Sequence, residues 1–143
     1  MPLNDDDRRQ FPRVEATLQV RSRLLDPSEL PMLASSLGKS DPVIPQLNMI
    51  KGRTVQLATV NISQGGISAS GDLHIDSKQP WPRGADLVVE FDLEDGQPPV
   101  RAVAQVMRSA IEGGKHHMGV MFLLIADAAF LRIQDYVQKN LTK

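Results

Sequence analysis

The segment LVVEFDLEDGQPPVRAVAQVMR, at residues 87–108, decides the fold class of this chain. Apolar side chains recur at every second position on both sides of an acidic turn at residues 94–96. This period of two is typical of strands that bury one face, and a short turn ending in glycine joins neighbouring antiparallel strands. The segment therefore predicts a β-hairpin whose buried face carries Leu87, Val89, Phe91, Leu93, Val100, Ala102, Ala104 and Val106.

Further strand patterns lie on both sides of this hairpin. Val14–Leu24 alternates as one predicted strand, with Arg21 and Arg23 on its polar face. Residues 55–63 and 66–70 flank a turn at 64–65, and residues 116–124 follow a Gly-Gly turn. Together these patterns predict about six strands in meander order, which is typical of a small antiparallel barrel.

The period changes after Asp127, a residue type suited to cap the start of a helix. The apolar residues that follow are spaced as on one helical face: Phe130, Ile133, Val137 and Leu141. We therefore predict an amphipathic helix at about residues 127–141 that covers one end or face of the sheet. The predicted fold class is all-β with a C-terminal helix, built on a six-stranded antiparallel barrel.

The chain has 143 residues, which is close to the commonest size of a single domain. Residues 1–13 are polar and densely charged, and we predict a flexible N-terminal arm there. Residues 14–143 are predicted to form one barrel domain. Its alternation is interrupted at residues 26–52, where four prolines predict an inserted loop with room for a short helix at residues 28–37.

The composition excludes several classes of function. The absence of cysteine rules out disulfides, thiolate metal sites and a cysteine nucleophile. A net charge of −1 gives no general attraction for nucleic acid. Because no apolar run approaches the ~18 residues of a spanning helix and no signal peptide is visible, we expect a cytoplasmic protein without a membrane span.

Catalytic patterns are also missing from the sequence. His116 and His117 are neighbours in a predicted strand, so their side chains point to opposite faces and are poorly placed to share a metal ion. No serine stands in a Gly-x-Ser-x-Gly context, which is the setting of a nucleophile elbow. We therefore expect neither an enzyme nor a bound metal or cofactor.

Two short motifs stand out from this background. The first is Arg9-Gln-Phe-Pro-Arg13, with Arg8 directly before it. The second is Asn61-Ile-Ser63-Gln-Gly65-Gly66, at a corner between two predicted strands. A guanidinium can form forked hydrogen bonds with a phosphate or with the O6 and N7 atoms of guanine. Asparagine and serine add polar contacts, and paired glycines allow close approach of the backbone.

In this order and spacing the two motifs resemble those of the PilZ family, the bacterial receptors for the second messenger cyclic di-GMP. The family pattern is Arg-x-x-x-Arg on an N-terminal loop followed by [Asp/Asn]-x-Ser-x-x-Gly on the barrel. The resemblance covers about residues 14–25 and 53–141, includes the Gly119-Val-Met-Phe strand, and departs from the family at the insertion. It implies a stand-alone cyclic di-GMP receptor that relays its signal to a downstream protein in motility or biofilm regulation. The ligand-binding residues that it implies are Arg8, Arg9, Arg13, Asn61, Ser63, Gly65 and Gly66.

Alternative interpretations of the same residues remain open. The arginines could neutralise the Asp5-Asp6-Asp7 run on a solvated arm, and the second motif could be a turn selected for its backbone geometry. A protein-interaction adaptor that binds ligand weakly or not at all is a second class of function, and a nucleic-acid-binding module is a third. Since Arg8 extends the arginine motif, the resemblance further implies that as many as two ligand molecules bind per chain.

Overall fold

Seven strands and one α-helix make up the part of the chain that the computed structural model describes, residues 12–29, 31, 54–72 and 81–141. The strands are β1 (Arg13–Glu15), β2 (Gln19–Leu24), β3 (Thr54–Ser63), β4 (Gly66–Asp72), β5 (Asp86–Phe91), β6 (Val100–Glu112) and β7 (Lys115–Leu124). The helix, α1, spans Asp127–Leu141, and a 3-10 turn spans Pro27–Glu29.

The central hairpin predicted from the sequence is formed by β5 and β6. The two strands pair antiparallel, with Phe91 opposite Val100 at the turn. Every apolar residue predicted for the buried face is buried, from Leu87 to Val106. The period-two pattern thus places the core inside the barrel, where the indole nitrogen of Trp81 donates a 2.7 Å hydrogen bond to Ser22 Oγ.

Two antiparallel meanders close into a six-stranded barrel. One meander is β2-β3-β4 and the other is β5-β6-β7; they join where β2 pairs with β5 and where β4 pairs with β7. The prediction of a simple meander order is therefore wrong, because β4 and β5 are consecutive in the chain but are not neighbours in the sheet. This closure gives every one of the six strands two partners and so leaves the barrel without an open edge.

The single strand predicted at Val14–Leu24 is also wrong, because β1 and β2 pair separately with β3. In the gap between β1 and β2, the backbone bonds to the side chain of Thr59 on β3 instead of forming regular sheet hydrogen bonds. Its hydroxyl donates to the carbonyl of Ala16 at 2.8 Å and accepts from the amide of Leu18 at 2.9 Å. The register of β3 against β4 shifts at the same point, between Thr59 and Asn61. The break in the first strand thus coincides with a β-bulge in its partner.

At the end of β2 the predicted faces are reversed. Arg23, which the alternation placed in solvent, is 0% exposed, whereas the predicted core residue Leu24 is 49% exposed. The Arg23 guanidinium forms a bidentate ion pair with Glu29, with nitrogen–oxygen distances of 2.8 and 2.9 Å. Because Glu29 belongs to the 3-10 turn, this pair holds the start of the predicted insertion against the barrel. Most of the short helix predicted at 28–37 lies outside the described residues.

Helix α1 packs beside β1 and β3. Ile133 and Val137 are buried, as the helical spacing predicted, but Leu141 is 46% exposed and does not contribute to the core. The side-chain amide of Gln64, in the turn between β3 and β4, donates to the carbonyl of Phe130 at 3.2 Å. This bond ties the helix to the corner of the barrel that carries the Asn-x-Ser motif. None of the described helices is long and apolar enough to cross a membrane.

Candidate functional site

The outer face of the barrel brings distant parts of the sequence into register. Three rows of register partners cross the sheet here, and the middle row is buried. The buried row consists of Val14, Ile62, Ile67, Val120 and Val106. One outward row contains Arg13, Ser63, Gly66 and Met121. The other contains Glu15, Asn61, Ser68, Gly119 and Arg108. Directly opposite residues in antiparallel strands lie about 5 Å apart, so Arg13 of the first motif meets the second motif on this face.

The bulge in β3 turns the motif residues outward. Leu57 and Thr59 are buried, and continued alternation would also have buried Asn61 and Ser63. The unpaired position between Thr59 and Asn61 changes the phase, so that Ile62 points into the core instead. Asn61 and Ser63 consequently face the outside of the barrel.

Ser63 also stabilises the turn that follows it. Its Oγ accepts a 3.1 Å hydrogen bond from the backbone amide of Gly65. The carbonyl of Gly65 in turn accepts from the amide of Phe122 at 2.9 Å, which fixes the turn against β7. The hydroxyl hydrogen of Ser63 can still donate to a ligand oxygen, because the turn uses this side chain only as an acceptor.

Gly66 occupies a position where no side chain fits. A Cβ at this residue would lie 2.1 Å from the carbonyl oxygen of Val120 and 3.1 Å from its carbon. The backbones of β4 and β7 thus approach each other closely at the motif. The glycine at this position meets a requirement of sheet packing, and it also leaves the outer surface open above the ladder.

Arg108 joins this surface through a second bulge. The register of β6 against β7 shifts between Val106 and Arg108, which turns Arg108 outward although it is in phase with the buried residues before it. Its guanidinium lies across Gly119, where a Cβ would stand 3.2 Å from Arg108 Nε. Nη2 of Arg108 lies 3.5 Å from Ser68 Oγ. The bare backbone of Gly119 therefore makes room for the arginine.

Two adjoining cavities open on this face. The first, which we call the motif cavity, has a volume of about 220 Å³ and is lined by Arg13, Asn61, Ser63, Gly65, Gly66 and Arg108, among others. The second, the hairpin cavity, has a volume of about 440 Å³ and lies beside Ala110, Glu112 and His117. Both cavities are lined by Asn61, Ser68, Arg108 and Gly119, so they adjoin along this row, and together we call them the groove. Among the described residues that line the motif cavity, two are arginines and none is acidic, which favours an anionic ligand.

The predicted site residues that the structure describes all line the motif cavity: Arg13, Asn61, Ser63, Gly65 and Gly66. Arg13 is the first residue of β1, so its backbone is part of the sheet. Arg8 and Arg9 lie outside the described residues. Sequence reasoning missed Arg108, although a signal was present: a charged residue occupies a position that the preceding alternation assigns to the core. Asn61 gives the same indication in β3, because it is a polar residue at a position that the preceding alternation assigns to the core.

His116 and His117, the two histidines in the described part of the chain, lie on opposite faces of β7. His116 is buried in the barrel, 3.4 Å from Ser109 Oγ, whereas the neighbouring His117 lines the hairpin cavity outside it. Within the described ranges, no group of three or more His, Asp or Glu side chains is placed to hold a metal ion. The surface therefore offers hydrogen-bond donors, acceptors and positive charge for a bound molecule.

Comparison with solved structures shows the same fold in three structures of two PilZ-type proteins. The chain is 19% identical to the inhibitor of motility MotI (DgrA) of Bacillus subtilis, with a TM-score of 0.66. The aligned region covers 100% of this chain and 58% of MotI. It is 13% identical to Escherichia coli YcgR in complex with c-di-GMP, with a TM-score of 0.59, covering 92% of this chain and 45% of that one. For the isolated PilZ domain of YcgR with c-di-GMP the identity is 14% and the TM-score 0.59, covering 94% and 92%. The chain thus spans about half the length of the first two proteins.

A comparison with family models gives the family directly. No curated protein matches the sequence, but the model of the PilZ domain matches residues 40–139, which is more than half of the chain. The match includes β3 to β7, most of α1 and the Asn-x-Ser-x-x-Gly corner. With its closed antiparallel barrel and C-terminal helix, this chain belongs to the PilZ domain family.

Proposed function

We propose that this protein is a receptor for cyclic di-GMP, and that the nucleotide binds in the motif cavity on the outer face of the barrel. The observation that supports the proposal is the pairing of Arg13 with Ser63: Arg13 comes from the start of the chain, yet it lies across the sheet from the second motif. Solved PilZ structures that contain c-di-GMP share this fold. The proposed role is binding without catalysis.

The residues of the cavity suit the chemistry of this ligand. Cyclic di-GMP carries two phosphodiester anions, and each guanine presents O6 and N7 as acceptors and two flat faces. Arg13 and Arg108 can donate in pairs to a phosphate or to a guanine edge and can stack on a ring. Asn61 can both accept and donate, and Ser63 can donate its remaining hydrogen.

The signal is proposed to pass through the N-terminal arm. Arg8 and Arg9 would close over the nucleotide from the side opposite Asn61 and Ser63, while Arg13 is held in β1, so that the part of the arm before β1 lies on the bound ligand. The closed arm and the bound nucleotide together would form a composite surface that neither presents alone. A downstream protein that recognises this surface would then respond to the concentration of the second messenger.

Isothermal titration calorimetry with cyclic di-GMP tests the receptor function. We expect saturable binding by the full chain and a loss of about 10- to 100-fold in affinity for Arg13→Ala, because a forked arginine contact is worth ~1–3 kcal/mol. Arg21→Ala is the matched control, since Arg21 is exposed on β2 and pairs with Glu90 away from the groove. Absence of binding by the wild-type chain, or equal binding by Arg13→Ala and Arg21→Ala, contradicts the proposal.

The same titration addresses stoichiometry and the competing classes of function. We propose two ligands per chain, with Arg8→Leu shifting the ratio toward one, because a third guanidinium on the arm, beside those of Arg9 and Arg13, adds stacking area and positive charge for a second nucleotide. A wild-type ratio of one that is unchanged in Arg8→Leu contradicts this proposal. Titration with a single-stranded oligonucleotide identifies a nucleic-acid-binding module if only the oligonucleotide binds, and a pull-down with and without cyclic di-GMP tests the partner relay.

A further inference from the structure

We infer that the hairpin cavity selects guanine over adenine in the bound cyclic dinucleotide, with Arg108 and Glu112 reading opposite edges of one base. The inference rests on the proposed function, because it assumes that a cyclic dinucleotide occupies the adjoining motif cavity. It assigns a specificity role to residues of β6 that lie outside both sequence motifs.

The geometry of β6 gives the cavity two different ends. Arg108, Ala110 and Glu112 occupy alternate positions and therefore share one face of the strand. At about 3.4 Å per residue, the Cα atoms of Arg108 and Glu112 lie about 13 Å apart. The small Ala110 stands between them, and His117 pairs with Ala110 from β7 and lines the same space. The result is an open compartment with a cation at one end and a carboxylate at the other.

A cation at one end and a carboxylate at the other suit the hydrogen-bonding groups of guanine and not those of adenine. Guanine presents two acceptors, O6 and N7, on one edge, and two donors, N1–H and the exocyclic N2 amine, on its Watson–Crick edge. An arginine fork suits the first edge, and a carboxylate accepts from both donors of the second. Adenine carries a donor at the position of O6 and an acceptor at N1, so it sets a donor against Arg108 and a lone pair against Glu112.

The two cavities are placed to share one ligand. Arg108 and Asn61 line both of them, so a molecule held by Arg13 and Ser63 in the motif cavity continues directly into the hairpin cavity. A cyclic dinucleotide has two bases joined through a phosphate ring, and one base can occupy each compartment. The volume of 440 Å³ lies within the usual range of small-molecule pockets.

The charged neighbours of Glu112 define a competing structural role. Lys115 is the register partner of Glu112 at the β6–β7 turn and also pairs in register with Asp72 of β4. If Glu112 serves only this turn, its replacement changes stability or overall charge but not the choice between bases. The ratio of two affinities separates these roles, because a general gain or loss of positive field affects equally charged ligands alike.

The experiment measures the affinity of the full chain for cyclic di-GMP, for cyclic di-AMP and for the mixed guanine–adenine cyclic dinucleotide. We expect the wild type to prefer cyclic di-GMP over cyclic di-AMP, and we expect Glu112→Gln to reduce this preference about 10-fold, since a bidentate base contact discriminates by a factor of about 5 to 150. Glu94→Gln is the matched control; Glu94 is exposed and lines a different cavity, beside α1.

Each outcome decides a separate point. A reduced preference in Glu112→Gln alone supports the assignment, and a preference that is equal in the wild type and both variants overturns it while leaving the receptor function intact. If the wild type binds none of the three nucleotides, the proposed function fails and the assignment fails with it. Should Glu112→Gln lower the melting temperature, Glu112→Asp provides a second test, because the shorter carboxylate keeps the charge but withdraws it from the base.

Discussion

The carbonyl oxygen of Val120 occupies the space that a side chain on Gly66 would need, at 2.1 Å from the position of a Cβ. The neighbouring register pairs are Ile67 with Val120 and Gly66 with Met121, so the contact lies within the β4–β7 ladder that closes the barrel. Since the obstacle is backbone, no change of side-chain rotamer can relieve it. One residue of the motif is thus fixed by the packing of the same sheet that presents Asn61 and Ser63.

The first prediction concerns this contact. Gly66→Ala should separate β4 from β7 locally and lower the free energy of unfolding by ~1–3 kcal/mol, the usual cost of inserting atoms into a packed site. Cyclic di-GMP affinity should fall as well, because Ser63 pairs with Gly66 across the turn. Urea unfolding and calorimetry measure the two effects.

Gly96→Ala is a control for glycine replacement in an open position. The positive φ of 78° at Gly96 is strained by a side chain, but a Cβ there would have no atom within 4 Å apart from its chain neighbours. Wild-type ligand binding by Gly66→Ala at wild-type stability contradicts the prediction.

A second prediction tests whether Gly119 acts through Arg108. Arg108→Ala should weaken cyclic di-GMP binding about 10-fold, as expected for a charged, forked contact. Gly119→Ala should weaken it less, by displacing the flexible Arg108 side chain from a position 3.2 Å away. In the double variant, the second change should add nothing, because the group it displaces is already absent. Additive losses in this double-mutant cycle would show that Gly119 contributes independently of Arg108.

The third prediction concerns the buried ion pair between Arg23 and Glu29. Glu29→Ala leaves the Arg23 guanidinium, which is 0% exposed, without its carboxylate, and should lower the free energy of unfolding by ~3–5 kcal/mol. Glu15→Ala, an exposed position on β1, should change it by less than ~0.5 kcal/mol. Urea denaturation compares the variants. Equal stability of Glu29→Ala and Glu15→Ala would show that the pair does not stabilise the fold.

A fourth prediction follows from the contact between α1 and the loop after β5. The Arg132 guanidinium donates to both carboxylate oxygens of Asp95, at 2.7 and 2.8 Å, and lowers the pKa of Asp95 to about 2. The unfolded value is about 3.9. Because the folded pKa is depressed, the stabilisation is fully present above the unfolded pKa and is lost as the pH falls from about 4 to 2.

The stabilisation by the Arg132–Asp95 ion pair is expected to be small, because both side chains are partly exposed. The pair is reached by solvent, so we expect ~1 kcal/mol or less at neutral pH. Asp95→Asn should be less stable than the wild type by this amount at pH 7 and equal to it near pH 2, measured by thermal unfolding across the pH range. A stability difference that persists unchanged at pH 2 would show that the loss in Asp95→Asn is not electrostatic.

The carboxylate of Glu90 on β5 is buried, unlike that of Asp95. Burial raises the pKa of Glu90, but the hydrogen bonds and charges of Arg101 and Arg21 outweigh that effect and hold the pKa below its usual value. Glu90 thus stays ionised between two arginines on β6 and β2, on the side of the barrel away from the motif cavity. This network supports the β2–β5 junction that closes the ring.

The sequence by itself determined the elements with an uninterrupted period. The alternation from Leu87 to Val106 specified a buried face, and the spacing of Ile133 and Val137 specified a helix, because such patterns depend only on the geometry of each element. The order and spacing of the two motifs, Arg9 and Arg13 followed by Asn61, Ser63 and Gly66, also sufficed to indicate the family. These features need no knowledge of which strand lies beside which.

Only the tertiary structure decided which way the site residues face. Extending the alternation from Leu57 and from Val106 directs Asn61 and Arg108 into the core, whereas bulges at residues 60 and 107 turn both outward. A bulge is a mismatch in length between two paired strands, so it cannot be assigned from one strand alone. The burial of Arg23 has the same origin, since it depends on Glu29 returning over β2. The groove therefore exists because strands from distant parts of the chain are held in one register, and that register is a property of the closed barrel.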